Sequence, residues 1–250
     1  MFRPRVIPVL LVQRGALVKT ERFRDPRYIG DPINTVKIFS EMQADELVVL
    51  DIVASKERRA ISVEFVKSVG AEANMPFAVG GGIRSLHQIR DILAAGAEKV
   101  VIGSYAAENP SFVREASTHF GASTIVVCVD VKKTWLGIPK VWTMSGSKRT
   151  EREPVEFAQR MEEEGAGEIL VQSIDRDGTM GGYDIGLIQR IAVSVQIPVI
   201  ALGGAGTLRH LRAACATGHA SAVAAGSMFV FYGPRRGVLI NYPERSELSF

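Results

Sequence analysis

The sequence predicts a single (β/α)8 barrel of the α/β class, and three observations lead there. Short apolar runs alternate with amphipathic stretches along the chain, the pattern of repeated strand-helix units around a parallel sheet. Eight such runs begin near Arg5, Glu46, Pro76, Lys99, Thr124, Glu168, Pro198 and Ser221, and eight units in 250 residues is the size of one closed barrel. The two halves of the chain also repeat at an offset of 122 positions, Glu46 falling on Glu168 and Pro76 on Pro198. Ala44-Asp45-Glu46-Leu47-Val48-Val49 matches Ala166-Gly167-Glu168-Ile169-Leu170-Val171, and Ala95-Gly96-Ala97 matches Thr217-Gly218-His219. Pro76-Phe77-Ala78-Val79-Gly80-Gly81 matches Pro198-Val199-Ile200-Ala201-Leu202-Gly203-Gly204 with one extra residue. Two similar halves of four units close naturally into a TIM barrel, whereas the alternative, an open doubly wound sheet, gives no reason for a repeat.

The elements follow in order. The first run, Arg5 to Gln13, carries Arg5 ahead of its apolar stretch and Leu11 near the end, so one strand joins two faces of the barrel. The runs are continuously apolar, as strands buried on both faces should be. Helix starts are marked by Asp31-Pro32 and Asn109-Pro110, each a capping residue before a first-turn proline, and by Thr207 after Gly206. After the eighth run the stretch from Phe229 to Phe250 contains Gly233-Pro234, Gly237 and Tyr242-Pro243, breakers that forbid a long amphipathic helix. The eighth helix is therefore expected to be missing or reduced to a turn, its place covered by Val238-Leu239-Ile240 or by a partner. All of residues 1–250 read as one barrel domain.

A composition of 46% hydrophobic and 23% charged residues is that of an ordinary globular protein. The net charge of +3 is mild and its basic excess is local, which suits anionic small molecules and does not imply nucleic acid. Cys128 and Cys215 lack metal-ligand spacing and read as reduced core thiols, so neither a metal nor another cofactor is expected. No run approaches the ~18 apolar residues of a membrane helix. Met1-Phe2-Arg3-Pro4 leads into the first strand without a secretory core, and the expected compartment is the cytoplasm.

In a barrel of this kind the loops after the strands form the active face. Four strand ends are glycine-rich: Gly80-Gly81-Gly82, Gly103-Ser104, Gly203-Gly204 and Gly226-Ser227. Each alone reads equally as a tight turn. Recurring at equivalent places in both halves, they suggest two phosphate sites on opposite sides of one mouth, fit for an extended bisphosphorylated ligand. The first loop, Gln13 to Gly30, carries Arg14, Lys19, Arg22, Arg24 and Arg27 and reads as a lid that orients an anion, or as a mobile flap of solvated charges. Asp51, Asp130 and Asp177 (with Gly178) end strands or follow them, and Asp130 is the sharpest candidate for a general acid or base. On the opposite face Arg5, Glu46, Lys99 and Glu168 each precede a strand and form a neutral set that reads first as a structural salt-bridge ring across the floor.

With Asp130, the glycine pairs, Ser173-Ile174-Asp175-Arg176-Asp177-Gly178-Thr179 and the four charges assembled, residues 1 to about 230 resemble the HisF family, the cyclase subunit of imidazole glycerol phosphate synthase. The resemblance implies a glutaminase docked on the floor and ammonia passing the charged ring and the lumen to the mouth. It also implies a gate of Arg5, Glu46, Lys99 and Glu168, a lid lysine at Lys19 and one catalytic aspartate at Asp130. The family's second catalytic aspartate lies in Ile-Pro-Cys-Leu-Asp-Val, where this chain reads Ile7-Pro8-Val9-Leu10-Leu11-Val12. Val101 and Leu202 stand where the family has small polar residues, and Gly103 replaces an asparagine.

Pro26-Arg27-Tyr28-Ile29-Gly30-Asp31-Pro32-Ile33-Asn34 and Val238-Leu239-Ile240-Asn241-Tyr242-Pro243 are similar to the HisF-like glycosyl amidation-associated proteins of surface-polysaccharide gene clusters. That likeness implies a HisH-like glutaminase, a separate ATP-dependent amidotransferase and the conversion of an acetamido to an acetamidino sugar, with cyclase activity lost at Leu11. Two alternatives stand beside it: a true cyclase of histidine synthesis, and a non-catalytic phosphate-binding scaffold that activates the glutaminase.

Overall fold

The structure, a computed structural model, describes residues 3–248; Met1, Phe2, Ser249 and Phe250 lie outside the described residues. Eight parallel strands close on themselves in chain order. They are β1 (Arg5–Gln13), β2 (Leu47–Asp51), β3 (Phe77–Gly80), β4 (Lys99–Ile102), β5 (Ile125–Lys133), β6 (Glu168–Ser173), β7 (Val199–Leu202) and β8 (Ala222–Ala225). β8 pairs with β1 through Arg5–Ala222 to Pro8–Ala225, which completes the (β/α)8 barrel.

Strand geometry divides the apolar residues into two populations. In β1, Val6, Leu10 and Val12 face the surrounding helices, while Ile7, Val9 and Leu11 face the lumen. Val48, Ala78, Val101, Val126, Leu170, Ile200 and Ala222 join the second set, so the lumen is packed with aliphatic side chains. By the same parity Arg5 lies on the lumen face, six residues below Leu11, or ~20 Å at 3.3 Å per residue. One strand thus carries a floor residue and a mouth residue on a single face.

The helices outside start where the capping chemistry says. Asp31 accepts from the Asn34 N–H at the head of α1 (Pro32–Glu41), and Ser85 and Thr207, equivalent in the two halves, cap α3 (Leu86–Ala94) and α7 (Leu208–Ala216). Between these lie α2 (Val63–Glu72), α4 (Ser111–Phe120), α5 (Pro154–Glu163) and α6 (Ile185–Ala192). α4 corrects one expectation: its capping position is Pro110, and the Asn109 side chain accepts from the Ser111 hydroxyl instead of a backbone N–H.

Among the described residues no α-helix follows β8. The chain makes a 3-10 turn at Ser227–Phe229, a short hairpin of Phe231–Tyr232 with Gly237–Val238, and a second turn at Arg245–Leu248. The gap is not covered by Val238 and Leu239, which are exposed. Phe229 and Leu248 are buried there, with Ile240 and Tyr242 packed against the core, because these side chains face the barrel wall while the hairpin turns away. The Tyr242 ring lies 5.5 Å from that of Phe229 and 6.5 Å from that of Phe39 on α1. Its hydroxyl donates to the Val6 carbonyl at 2.8 Å, tying the tail to β1. Among the described residues no helix is long and apolar enough to cross a membrane.

Candidate functional site

At the floor, Arg5, Glu46, Lys99 and Glu168 each stand two residues before a lumen side chain (Ile7, Val48, Val101 and Leu170), so strand parity turns all four inward. They meet in a closed ring. Arg5 donates to Glu46 and, at 2.5 Å, to Glu168; Lys99 donates to Glu46 at 3.0 Å and to Glu168 at 3.1 Å. Each carboxylate gives one oxygen to Arg5 and the other to Lys99. Burial opposes the charge on Arg5, but the two facing glutamates outweigh it and hold the guanidinium above its ordinary pKa.

At the mouth, the same parity places Leu11, Asp130, Gln172 and Leu202 in the uppermost lumen layer. Contrary to the expectation from the sequence, Asp130 does not end its strand; β5 continues through it to Lys133 and pairs with Pro139–Thr143 in a hairpin. Lys132 lies over the Trp142 ring and Lys133 reaches Asp184, so neither forms an ion pair with Asp130. Burial pushes the Asp130 carboxyl up to about 7, against a lowering hydrogen bond from Cys128 and with added repulsion from Asp177. The Cys128 thiol donates to Asp130 at 3.4 Å and is itself pushed well up by burial and by that charge, so it stays protonated.

A sign follows for stability. Native Asp130 holds its proton to about pH 7 whereas the unfolded chain releases it near 3.8, so the native state binds more protons between those values and stability falls as pH rises. Asp130→Asn is expected to flatten that loss. Urea midpoints from pH 5 to pH 8 measure it, and an unchanged slope in the variant would show that Asp130 is ionised throughout.

The glycine pairs lie in two recesses that share Leu11 and Gln172. A cavity of about 210 Å³ is bordered by Gly81, Gly82, Gly103, Ser104, Asp130 and the aliphatic Leu11. The Ser104 hydroxyl there accepts from the Met144 N–H at 2.8 Å, so the β5 hairpin loop closes over it. Across the mouth, Gly178, Gly203, Gly204, Gly226 and Ser227 border, together with Lys19, a smaller recess of about 20 Å³. The Lys19 ammonium donates to the Val9 carbonyl at 2.5 Å, and burial lowers its pKa to about 8 despite the nearby Asp177. A Cβ at position 226 would lie 2.4 Å from that ammonium, so a larger residue there would push the lysine's flexible end aside. The glycine-rich ends thus also serve close packing: a Cβ at Gly82 would lie 1.9 Å from the Arg59 carbonyl.

Two acids are engaged structurally. Asp51 accepts from the Val53 and Ala54 N–H groups at 3.1 Å each and pairs with Arg59 at 2.6 Å, which folds the loop after β2. Asp177 accepts from the Thr20 hydroxyl at 2.9 Å and the Phe23 N–H at 3.4 Å, and burial raises its pKa. It thereby anchors the basic segment between Gln13 and Gly30, which is neither a long loop nor a mobile flap but a hairpin of Ala16–Glu21 with Arg24–Gly30 paired onto β1. Its Arg22-Phe23 turn holds two non-glycine residues at φ 52° and 60°, a strained conformation braced by Asp177.

Sequence reasoning missed Gln172, buried and facing both recesses; the available signal is its spacing of four from Glu168 on the same strand face. Among the described residues no His, Cys, Asp and Glu cluster could hold a metal ion.

Residues 5–234 match the family model described as "Histidine biosynthesis protein". A Leptospira interrogans protein provisionally assigned as imidazole glycerol phosphate synthase subunit HisF is 44% identical over 99% of this chain and 98% of its own length. A Pseudomonas aeruginosa protein, provisionally numbered as a second HisF subunit, is 44% identical over 100% of this chain and 99% of its own. A third such subunit from Vibrio vulnificus is 41% identical over 99% of this chain and 95% of its own.

Proposed function

The chain belongs to the histidine biosynthesis protein family and is a HisF-type subunit, and from that premise we propose that it conducts ammonia without carrying out the HisF cyclisation. A HisH-like glutaminase docks on the floor, ammonia passes the ring of Arg5, Glu46, Lys99 and Glu168, and the aliphatic lumen delivers it to the mouth. Two features support the route. A ring of two cations and two anions offers a net ion nothing, and a lumen of Ile7, Val48, Ala78, Val126 and Leu170 presents no polar partner, so neutral ammonia is favoured over ammonium. At the mouth the ammonia passes to a separate ATP-dependent amidotransferase that converts an acetamido to an acetamidino sugar for surface polysaccharide such as O-antigen, in the cytoplasm.

One observation carries this reading: Leu11, 7% exposed, fills the mouth layer where the resemblance requires a second carboxylate. An aliphatic side chain transfers no proton, and loss of a general acid or base lowers a rate roughly 10²- to 10⁴-fold. Supplied with ammonium and the bisphosphate ribonucleotide of imidazole synthesis, the purified chain is expected to turn over at least 100-fold more slowly than an Asp-bearing HisF, a reduction of the order set by that missing group. Turnover at the ordinary HisF rate would establish the second reading, a cyclase working with Asp130 alone. That reading is favoured by one observation, the Asp130 carboxyl at about 7, poised to exchange a proton near neutrality.

A further inference from the structure

Outside the Lys19 recess, a basin of about 680 Å³ opens between the strained hairpin and the tail that replaces the eighth helix. Six cations border it: Lys19, Arg22, Arg24, Arg27, Lys132 and Arg236. Three carboxylates, Glu21, Asp25 and Asp175, oppose them, which leaves an excess of three positive charges, equal to the net charge of the whole chain. Two of the cations, Arg27 and Lys132, are held in place by ring contacts that do not neutralise them, and a third is held by an ion pair. Arg27 lies 5.8 Å from the centre of the Phe231 ring, and Lys132 lies 4.8 Å from that of Trp142. Arg236 is fixed by Glu21 and the Thr179 carbonyl. Arg22 and Arg24 enter no ion pair among the described residues, and Arg22 is presented by the turn that Asp177 braces.

The inner recess, which Lys19 borders, offers about 20 Å³ against about 680 Å³ in the basin, so the larger volume available to an anion on this side of the mouth is the basin. Its size exceeds that of a single phosphate, and its charge exceeds what one phosphate neutralises, since a phosphate monoester carries about two negative charges at pH 7. Guanidinium groups bind adjacent phosphate oxygens in pairs, and arginines on both flanks suit two linked phosphates. We propose that this basin binds a diphosphate group, so that the ligand presented at the mouth is a diphosphate ester. The inference rests on the proposed amidation role only for the ligand's reacting end, which points from the basin toward Asp130; the anion site itself stands on the basin alone.

Calorimetric titration of the full chain with orthophosphate, pyrophosphate and uridine diphosphate at constant ionic strength tests it without turnover. Pyrophosphate and uridine diphosphate are expected to bind at least roughly tenfold more tightly than orthophosphate, and Arg22→Ala with Arg24→Ala to weaken both by roughly tenfold. Because both arginines are exposed, the thermal midpoint of the variant should match that of the parent. Uridine diphosphate binding more tightly than pyrophosphate would add a contact to the nucleoside; equal binding would place all recognition on the diphosphate. Orthophosphate binding as tightly as pyrophosphate, or unchanged binding by the double variant, would overturn the proposal. Diphosphate binding by a chain that also cyclises at the ordinary rate would retain the basin and remove the amidation role.

Discussion

Glu168→Ala is expected to lower glutamine-dependent product formation by the assembled system roughly tenfold, about 1.4 kcal/mol, while ammonium-dependent formation changes less than twofold. Glu168 gives one oxygen to Arg5 at 2.5 Å and the other to Lys99 at 3.1 Å. Without it two cations share Glu46, and the floor gains an unpaired positive charge where a neutral ring stood. That charge draws water into the entrance and holds the floor in a different arrangement, whereas ammonium supplied at the mouth does not meet it. Breaking a buried ion pair typically costs ~3–5 kcal/mol, and because the Arg5 side chain keeps 30% of its exposure the lower end applies. Glu168→Gln keeps the shape and one acceptor and should fall between parent and alanine variant. Equal loss with glutamine and with ammonium would show that the ring serves only to hold the barrel together.

Phe229→Ala is expected to destabilise the fold by ~3–5 kcal/mol, the usual range for truncating a buried phenylalanine. Phe229 is fully buried, its ring packs on Tyr242 at 5.5 Å, and its carbonyl accepts from the Asn241 N–H at 2.9 Å. The cavity left behind cannot collapse easily, since the Tyr242 ring beside it is tied to β1 through the Val6 carbonyl. Tyr242→Phe removes only the hydroxyl between the Asp45 N–H and the Val6 carbonyl, and should cost about 1 kcal/mol. Urea unfolding followed by circular dichroism measures both. Less than about 1 kcal/mol for Phe229→Ala, the level of an ordinary surface substitution, would mean that the tail is not part of the core.

The barrel was legible because its determinants are local: continuous aliphatic runs, capping residues such as Asp31 and Thr207, and a repeat that places equivalent strand ends in the two halves. The floor ring was legible for a related reason, each charge standing two positions before a lumen residue, so that parity alone converges them. The hairpin between Gln13 and Gly30 was not. Its turns use Arg14-Gly15 and Arg22-Phe23 at positive φ in place of the asparagine-glycine pairs that announce such turns, and Asp177 supplies the compensation from far along the chain. The engagement of Asp51 by Arg59 was hidden likewise, since a strand-end aspartate reads the same whether its partner is a ligand or a loop. Gln172 is a polar side chain within an otherwise apolar run, and only its spacing of four from Glu168 marks its strand face as the lumen.

The tail that stands in for an eighth helix also sets a time order. Strands β1 and β8 can pair once residue 225 exists, but Phe229, Tyr242 and Leu248, which pack where an eighth helix would lie, are synthesised later. Until residues 229–248 have emerged, the barrel lacks part of its outer cover, the kind of exposed apolar surface that makes nascent intermediates prone to aggregate. Covering of the barrel therefore follows its closure, and a substitution at Phe229, Tyr242 or Leu248 acts on folding yield before it acts on any site in the finished molecule.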